Sequence, residues 1–229
     1  MRTIAVLWLV ALGMASAQSQ PDVLARMDRT AKDFKSFSAK MKRVDYTAIL
    51  HESEEVNGLV RLKRTPQGLV GVMEFSEPKK EFSEAMPAEI VHLNGRTVDR
   101  YFPKAATVEI WDAGKYASSL EGIVLLGFGT EIAKLRQSYD IKPGAAEMIG
   151  QVQTTKVELL PKTKDVKNLT TLIELWIPDG KGYPIQEKIN EPSKNYKLFT
   201  YFDMQMPAPA DTNFDLKVPP GTKEIHPSR

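Results

Sequence analysis

The sequence predicts a mainly β (α+β) domain, a large antiparallel sheet that curls, with a few short helices packed on one face. Runs in which apolar and polar residues alternate recur from Ser36 to Met204, and tight-turn signals such as Asn94-Gly95 and Asp179-Gly180-Lys181-Gly182 separate them. Helical spacing is confined to the start and middle of the chain instead of falling between successive strands. A period of two puts alternate side chains on opposite faces of a strand. Strands joined by tight turns, without intervening helices, pair antiparallel, and a sheet of many strands must curl to bury its apolar side.

The elements follow in order. From Pro21 to Phe34, Val23, Met27, Thr30/Ala31 and Phe34 fall at helical spacing, while Arg26, Asp28, Arg29, Lys32 and Asp33 fall mostly opposite. Pro21 suits the first turn of that amphipathic helix. At Ser36 the period changes to two, with Phe37, Ala39 and Met41 on one side of a strand. Gly58 to Arg64 puts Val60, Leu62 and Arg64 on one face, and a Thr65-Pro66-Gln67-Gly68 turn leads back through Leu69 to Phe75. Ile90–Leu93 and Thr97–Phe102 flank Asn94-Gly95, whose residues tolerate the positive φ of a short hairpin turn. Pro103–Ala106 turns the chain into Thr107–Trp111.

The middle departs from this rhythm. Tyr116, Leu120, Ile123, Val124, Leu125 and Leu126 form an apolar segment that predicts a short helix. After Gly127-Phe128-Gly129 a second helix is expected over Thr130–Tyr139, with Thr130 as its cap and Ile132, Leu135 and Tyr139 along one side. Strands resume at Gln153–Leu160, Leu169–Ile177, Ile185–Asn190 and Tyr196–Met204. The tail reads as a last strand, Phe214–Lys217, stopped by Val218-Pro219-Pro220-Gly221. Neither a long linker nor an internal repeat is visible, so residues 18–229 are expected to form one domain.

Residues 1–17 read as a cleaved signal peptide. Arg2 supplies the positive start, Ile4–Met14 the apolar run and Ala15-Ser16-Ala17 the small residues before cleavage. The run falls short of the roughly 20 apolar residues that cross a bilayer, and no second such run follows, so no integral membrane span is expected. An exported chain with 0 Cys suits a bacterial envelope better than a disulfide-forming secretory route, which points to the periplasm.

Composition removes most chemistries. The 31 Lys+Arg nearly balance 29 Asp+Glu, leaving a net charge of +2, with none of the one-sided basic field that holds nucleic acid. With 0 Cys there is no thiolate metal site, disulfide or cysteine nucleophile, and His51, His92 and His226 lie in unrelated contexts. No Gly-x-Ser-x-Gly turn is present, and Glu54-Glu55 are neighbours that point apart. Gly127-Phe128-Gly129-Thr130-Glu131 lacks the Lys-Ser/Thr of a phosphate loop. Neither an enzyme nor a cofactor is implied. What the chain supplies is apolar surface on a curled sheet beside short helices. Each CH₂ moved from water to such a surface is worth about 0.8 kcal/mol, so a concavity there could hold a fatty acyl chain, or the helices could simply complete a core.

The order of pieces resembles the outer-membrane lipoprotein carrier family, LolA, and its LolA-like relatives. The matching pieces are the signal; the helix followed by Ser36-Phe37-Ser38-Ala39; Gly58-Leu59-Val60-Arg61-Leu62-Lys63-Arg64 before a Pro turn; and Ile90 to Val98 ahead of Tyr101-Phe102-Pro103. Leu172 to Ile177, Gly182-Tyr183-Pro184-Ile185, Lys197–Asp203 and Phe214 to Thr222 continue the match across nearly the whole mature chain.

The resemblance implies a half-open antiparallel barrel, closed by a helical lid, that carries acylated lipoproteins from an inner-membrane release complex to an outer-membrane acceptor as a monomer and without catalysis. It also implies that Arg64 is the lid latch, although here Thr65 intervenes before the proline that the family places directly after that arginine. The acyl-chain cavity would be lined by Val60, Leu62, Val98 and Phe102 from the inner face and by Leu120, Ile123, Val124 and Leu126 from the lid. The same superfold also suits an envelope sensor or scaffold module, or a glycolipid-binding protein. A secreted hydrolase is the remaining alternative.

Overall fold

The computed structural model describes residues 20–66, 68–83, 87–112 and 126–227. The proposed signal peptide, residues 1–17, lies outside them. Helix α1 (Gln20–Asp33) precedes β1 (Ser36–Thr47), β2 (Glu52–Thr65), β3 (Gly68–Phe75), β4 (Glu89–Asn94), β5 (Thr97–Phe102) and β6 (Thr107–Asp112). Helix α2 (Ile132–Ser138) then leads into β7 (Tyr139–Ile149), β8 (Val152–Pro161), the short α3 (Lys164–Lys167), β9 (Leu172–Pro178), β10 (Gln186–Asn190), β11 (Tyr196–Gln205) and β12 (Lys223–Ile225).

Among the described residues, all the strands join one 12-stranded sheet in the order β12-β6-β5-β4-β3-β2-β1-β11-β10-β9-β8-β7. The first and last strands of that order do not pair, so the sheet stays open. Two antiparallel meanders, β1 to β6 and β7 to β11, are stitched together where β1 meets β11 through Met41↔Tyr201 and Arg43↔Phe199. The β4–β5 hairpin turns at Asn94-Gly95, but of that pair Gly95 alone takes a positive φ, 84; Asn94 acts through its side chain, its Oδ1 accepting the amides of Arg96 at 3.1 Å and Thr97 at 2.8 Å.

Four features differ from the sequence reading. Strand β7 is not predicted, because Pro143 and Gly144 break its pattern; it lies at the sheet edge and shifts register between Pro143 and Ala146, where a missing amide donor is tolerated. Phe214–Lys217 is not a strand. The last strand lies beyond the prolines and pairs with β6 in parallel, through Lys223↔Thr107. On the way, the tail crosses the outer face of the sheet, where Lys63 Nζ stands 4.8 Å above the Phe214 ring. Lastly, the residue before α2 is Glu131, not Thr130, and no side chain of its own caps the helix. Asp28 of α1 does so instead, accepting the Ile132 amide at 3.1 Å.

The helices cover one face of the sheet, the inner face. Val23 and Met27 of α1 and Ile132 and Leu135 of α2 pack with Val157, Leu159, Ile173, Leu175 and Ile177 of β8 and β9. A second cluster puts Phe34 and Phe128 on Phe37, Ala39, Val60, Leu62 and Leu93 of β1 to β4. Buried positions in and just after α1 (Val23, Met27, Ala31, Phe34) keep the three-to-four spacing of its sequence.

Candidate functional site

Strand register decides which side chains share the inner face. Leu62 is flanked by Phe37 and Gly71, and the row continues through Leu93 to Val98. Val60 lies between Ala39 and Met73, and its row runs on through Val91 to Arg100. Phe102, two residues beyond Arg100, has the same parity as Val98. Val60 and Leu62 are buried, whereas Val98 and Phe102 are half-buried. The face turns polar at β5: Arg100 stacks 5.1 Å from the Phe102 ring centroid and pairs with Glu89 at 2.8 Å and Glu109 at 3.5 Å. Leu126 is fully buried, but among the α1, α2, β8 and β9 side chains instead of beside Val60 and Leu62. Leu120, Ile123 and Val124 lie outside the described residues.

Arg64, next to last in β2, lies on the same face, and three elements meet at its guanidinium. Nη1 donates to the Ala31 carbonyl in the last turn of α1 at 3.1 Å. Nη2 donates to the Gly129 carbonyl in the turn before α2. Its Cζ stands 5.4 Å from the centre of the Phe34 ring. A cation suits carbonyls left free at a helix C-terminus, and the planar fork reaches two acceptors that a lysine could not bridge. Gly129 fits closely at this junction: a Cβ there would lie 3.0 Å from Phe34 Cδ1 and 3.1 Å from Arg64 Nη2, so both side chains would have to shift by a few tenths of an ångström.

Beneath this junction aromatic rings pack on one another. Phe128 stacks on Phe37 with centroids 4.6 Å apart and meets Tyr201 edge-on at 5.2 Å, while Phe34 lies 6.2 Å from Phe37. These contacts are between apolar groups and can be exchanged for other apolar groups at modest cost.

A buried acid interrupts the same face. Glu187 of β10 pairs across to Leu175 and Phe199 and is only 3% exposed. Its Oε2 accepts from the Tyr201 hydroxyl at 3.4 Å, and Oε1 has no partner among the described residues. Burial pushes its carboxyl up to about 8, so it is protonated at neutral pH. Burial first, and then Glu187, also raises Tyr139, to about 12. Sequence reasoning missed Glu187, although it has the parity of Ile185 and Ile189 and alternation alone points it inward.

Open space lies at the end of α1. A cleft of about 910 Å³ runs between the last turns of α1, the 180–183 loop and the end of β11, with Phe34, Tyr183, Met204 and Met206 among its walls. Gly182 brings the loop against the helix: a Cβ there would be 2.2 Å from the Arg26 carbonyl oxygen. Arg26 Nε donates to the Lys181 carbonyl at 2.6 Å and closes the same contact. Among the described residues, no group of His, Cys, Asp or Glu is arranged to hold a metal ion, and no helix is long and apolar enough to cross a membrane.

This architecture has known counterparts. An uncharacterised conserved protein from Thermus thermophilus superposes with a TM-score of 0.53 at 12% identity, over 92% of this chain and 100% of that one. MucB superposes with a TM-score of 0.50 at 11% identity, over 88% of this chain and 64% of that one. A LolA superfamily protein from Nitrosomonas europaea matches at 13% identity over 87% of this chain and 99% of that one, with a TM-score of 0.41. A LolA-like protein is thus among its structural neighbours. At these identities the likeness is one of fold. No protein-family model matches the chain, and no curated protein matches it.

Proposed function

We propose that this chain is a LolA-like carrier of the bacterial envelope that holds the acyl chains of a lipoprotein against its inner face. The observation that carries this reading is the Arg64 junction: α1 and the turn before α2 are fastened over the Phe37–Leu62 face by one guanidinium on two carbonyls. The Arg64 tie itself is two hydrogen bonds and a cation–ring contact, so the end of the cover over Phe37 and Leu62 can be released while α1 and α2 stay packed on β8 and β9, and each methylene that replaces a ring contact on the opened face stays out of water. Residues 1–17 act as the export signal and residues 18–229 as the carrier domain in the periplasm. Cargo passes from an inner-membrane release complex to an outer-membrane acceptor with no chemistry on the way. Val60 and Leu62 form the floor, Val98 and Phe102 its half-open margin, and Leu120, Ile123, Val124 and Leu126 belong to the cover.

Mass spectrometry of the protein purified from its native envelope without detergent tests this. Co-purifying acylated protein or lipid is the expected result, and Leu62→Glu should abolish it while the far-ultraviolet spectrum persists. Lipid-free protein that retains a partner protein would replace the carrier with a sensor or scaffold module.

A further inference from the structure

The cleft at the end of α1 has a charge pattern that acyl chains alone do not require. Arg29, Lys35 and Lys181 are exposed on its lining and make no ion pair among the described residues. The other cations there are occupied: Lys32 pairs with Asp28 at 2.7 Å, and Arg26 holds the Lys181 carbonyl. Asp33 is the acid on the rim, so an excess of positive charge remains. The opposite wall is apolar, and its inner end is Phe34, the ring that stacks under Arg64 and borders Phe37. A ligand in this cleft therefore meets cations on one side and the apolar side chains of Phe34, Tyr183, Met204 and Met206 on the other.

We propose that the cleft takes the phosphate-bearing, net negative headgroup of a lipid, with Arg29, Lys35 and Lys181 around the charge and Phe34, Tyr183 and Met204 against the first methylenes. The inference rests on the acyl-carrier reading and widens its cargo from the acyl chains of a lipoprotein, whose lipid bears no phosphate, to an anionic phospholipid. A volume of about 910 Å³ suits a headgroup and the start of its chains. Unpaired cations at the rim of an apolar cleft raise the local concentration of anions and orient them, charge outward and chain inward. The cations are exposed, so each contact with an anion stays screened by water and contributes modestly, and it is their number that gives the preference.

The experiment titrates the protein calorimetrically with monomeric dihexanoylphosphatidylglycerol, dihexanoylphosphatidylcholine and inorganic phosphate. The wild type should bind the glycerol lipid about tenfold tighter than the choline lipid, a preference that fades as salt is raised. The triple variant Arg29→Gln, Lys35→Gln, Lys181→Gln should bind both lipids equally, at the wild type's affinity for the choline lipid. These side chains are exposed, so the variant folds. Equal binding of the two lipids by the wild type, or a preference that survives in the triple variant, overturns the headgroup inference and leaves the acyl-carrier reading standing. Inorganic phosphate that competes at the concentration of the glycerol lipid also overturns it, because the site would then recognise the free ion. Binding of neither lipid also overturns the headgroup inference, and the acyl-carrier reading falls with it only if the protein purified from its envelope carries neither acylated protein nor lipid.

Discussion

Asp28 on α1 caps α2: its Oδ1 accepts the Ile132 amide at 3.1 Å while its Oδ2 holds Lys32 at 2.7 Å. One carboxylate thus links the two helices that cover the inner face. The Lys32 hydrogen bond, and then the Ile132 amide, hold this carboxyl below its ordinary value of 3.8. A depressed carboxyl contributes stability above its unfolded value, and that contribution disappears as pH falls through the folded one. Asp28→Ala should therefore cost about 1 kcal/mol at neutral pH and less in acid. Asp28→Asn keeps a capping oxygen and should cost less than alanine, with no acid dependence. Urea unfolding of the three proteins between pH 3 and pH 7 checks this.

Arg64 is the second tie across the same cover. Replacing it with Leu leaves the Ala31 and Gly129 carbonyls without their shared donor and should cost about 2 kcal/mol. Arg64→Lys keeps the charge but cannot fork to both carbonyls, so it should recover only part of the loss. If the junction is a latch, both variants also bind an uncharged solvatochromic dye more strongly than the wild type at temperatures where all remain folded. Equal dye binding would make Arg64 a structural tie alone.

The legible parts of this fold are those in which local pattern and tertiary environment agree. Phe37, Ala39 and Met41 alternate in the sequence and are all buried on one face, and the β4–β5 hairpin turns at Gly95, which takes the positive φ. What stayed hidden depends on partners far along the chain. Nothing near Thr130 indicates that Asp28 takes over the cap, because the acceptor comes from another helix. Pro143 argues against a strand until β7 is known to be an edge. Phe214 has the composition of a strand residue, yet its ring is spent on Lys63 across the outer face. The cations of the cleft come from α1 and from the 180–183 loop, which only the close approach of Gly182 brings together. Of the candidate cavity residues, Val60, Leu62 and Val98 could be grouped from alternation because register preserves parity, whereas Leu126 sits in a turn where parity has no meaning.

Glu187 should make the protein less stable as pH rises. Its carboxyl ionises at about 8 in the folded chain and near its ordinary value of 4.5 when unfolded. Between those values the folded state holds a proton that the unfolded state has lost, so stability falls with pH by up to about 1.4 kcal/mol per unit and levels off above the folded value. Glu187→Gln removes the titrating group but keeps an acceptor for the Tyr201 hydroxyl. Its stability should be flat over this range and exceed the wild type's at pH 8. Thermal unfolding from pH 5 to pH 9 measures both slopes, and parallel slopes would mean that Glu187 is solvated.

Phe128 separates a packed core from a binding face. Its ring stacks on Phe37 at 4.6 Å, abuts Tyr201 at 5.2 Å and is fully buried. Phe128→Ala should cost about 3–5 kcal/mol, the range for emptying a buried aromatic position. In an ordinary core that loss would be the whole effect. In a carrier the ring occupies space that an acyl chain takes when the cover lifts, so its removal should tighten binding of a fluorescent fatty acid while the protein loses stability. Titration of the wild type and the variant with that probe, well below the variant's unfolding temperature, reads the two effects separately. A variant that is destabilised and binds no better than the wild type would identify Phe128 as core and move the acyl-binding surface outward to Val98 and Phe102.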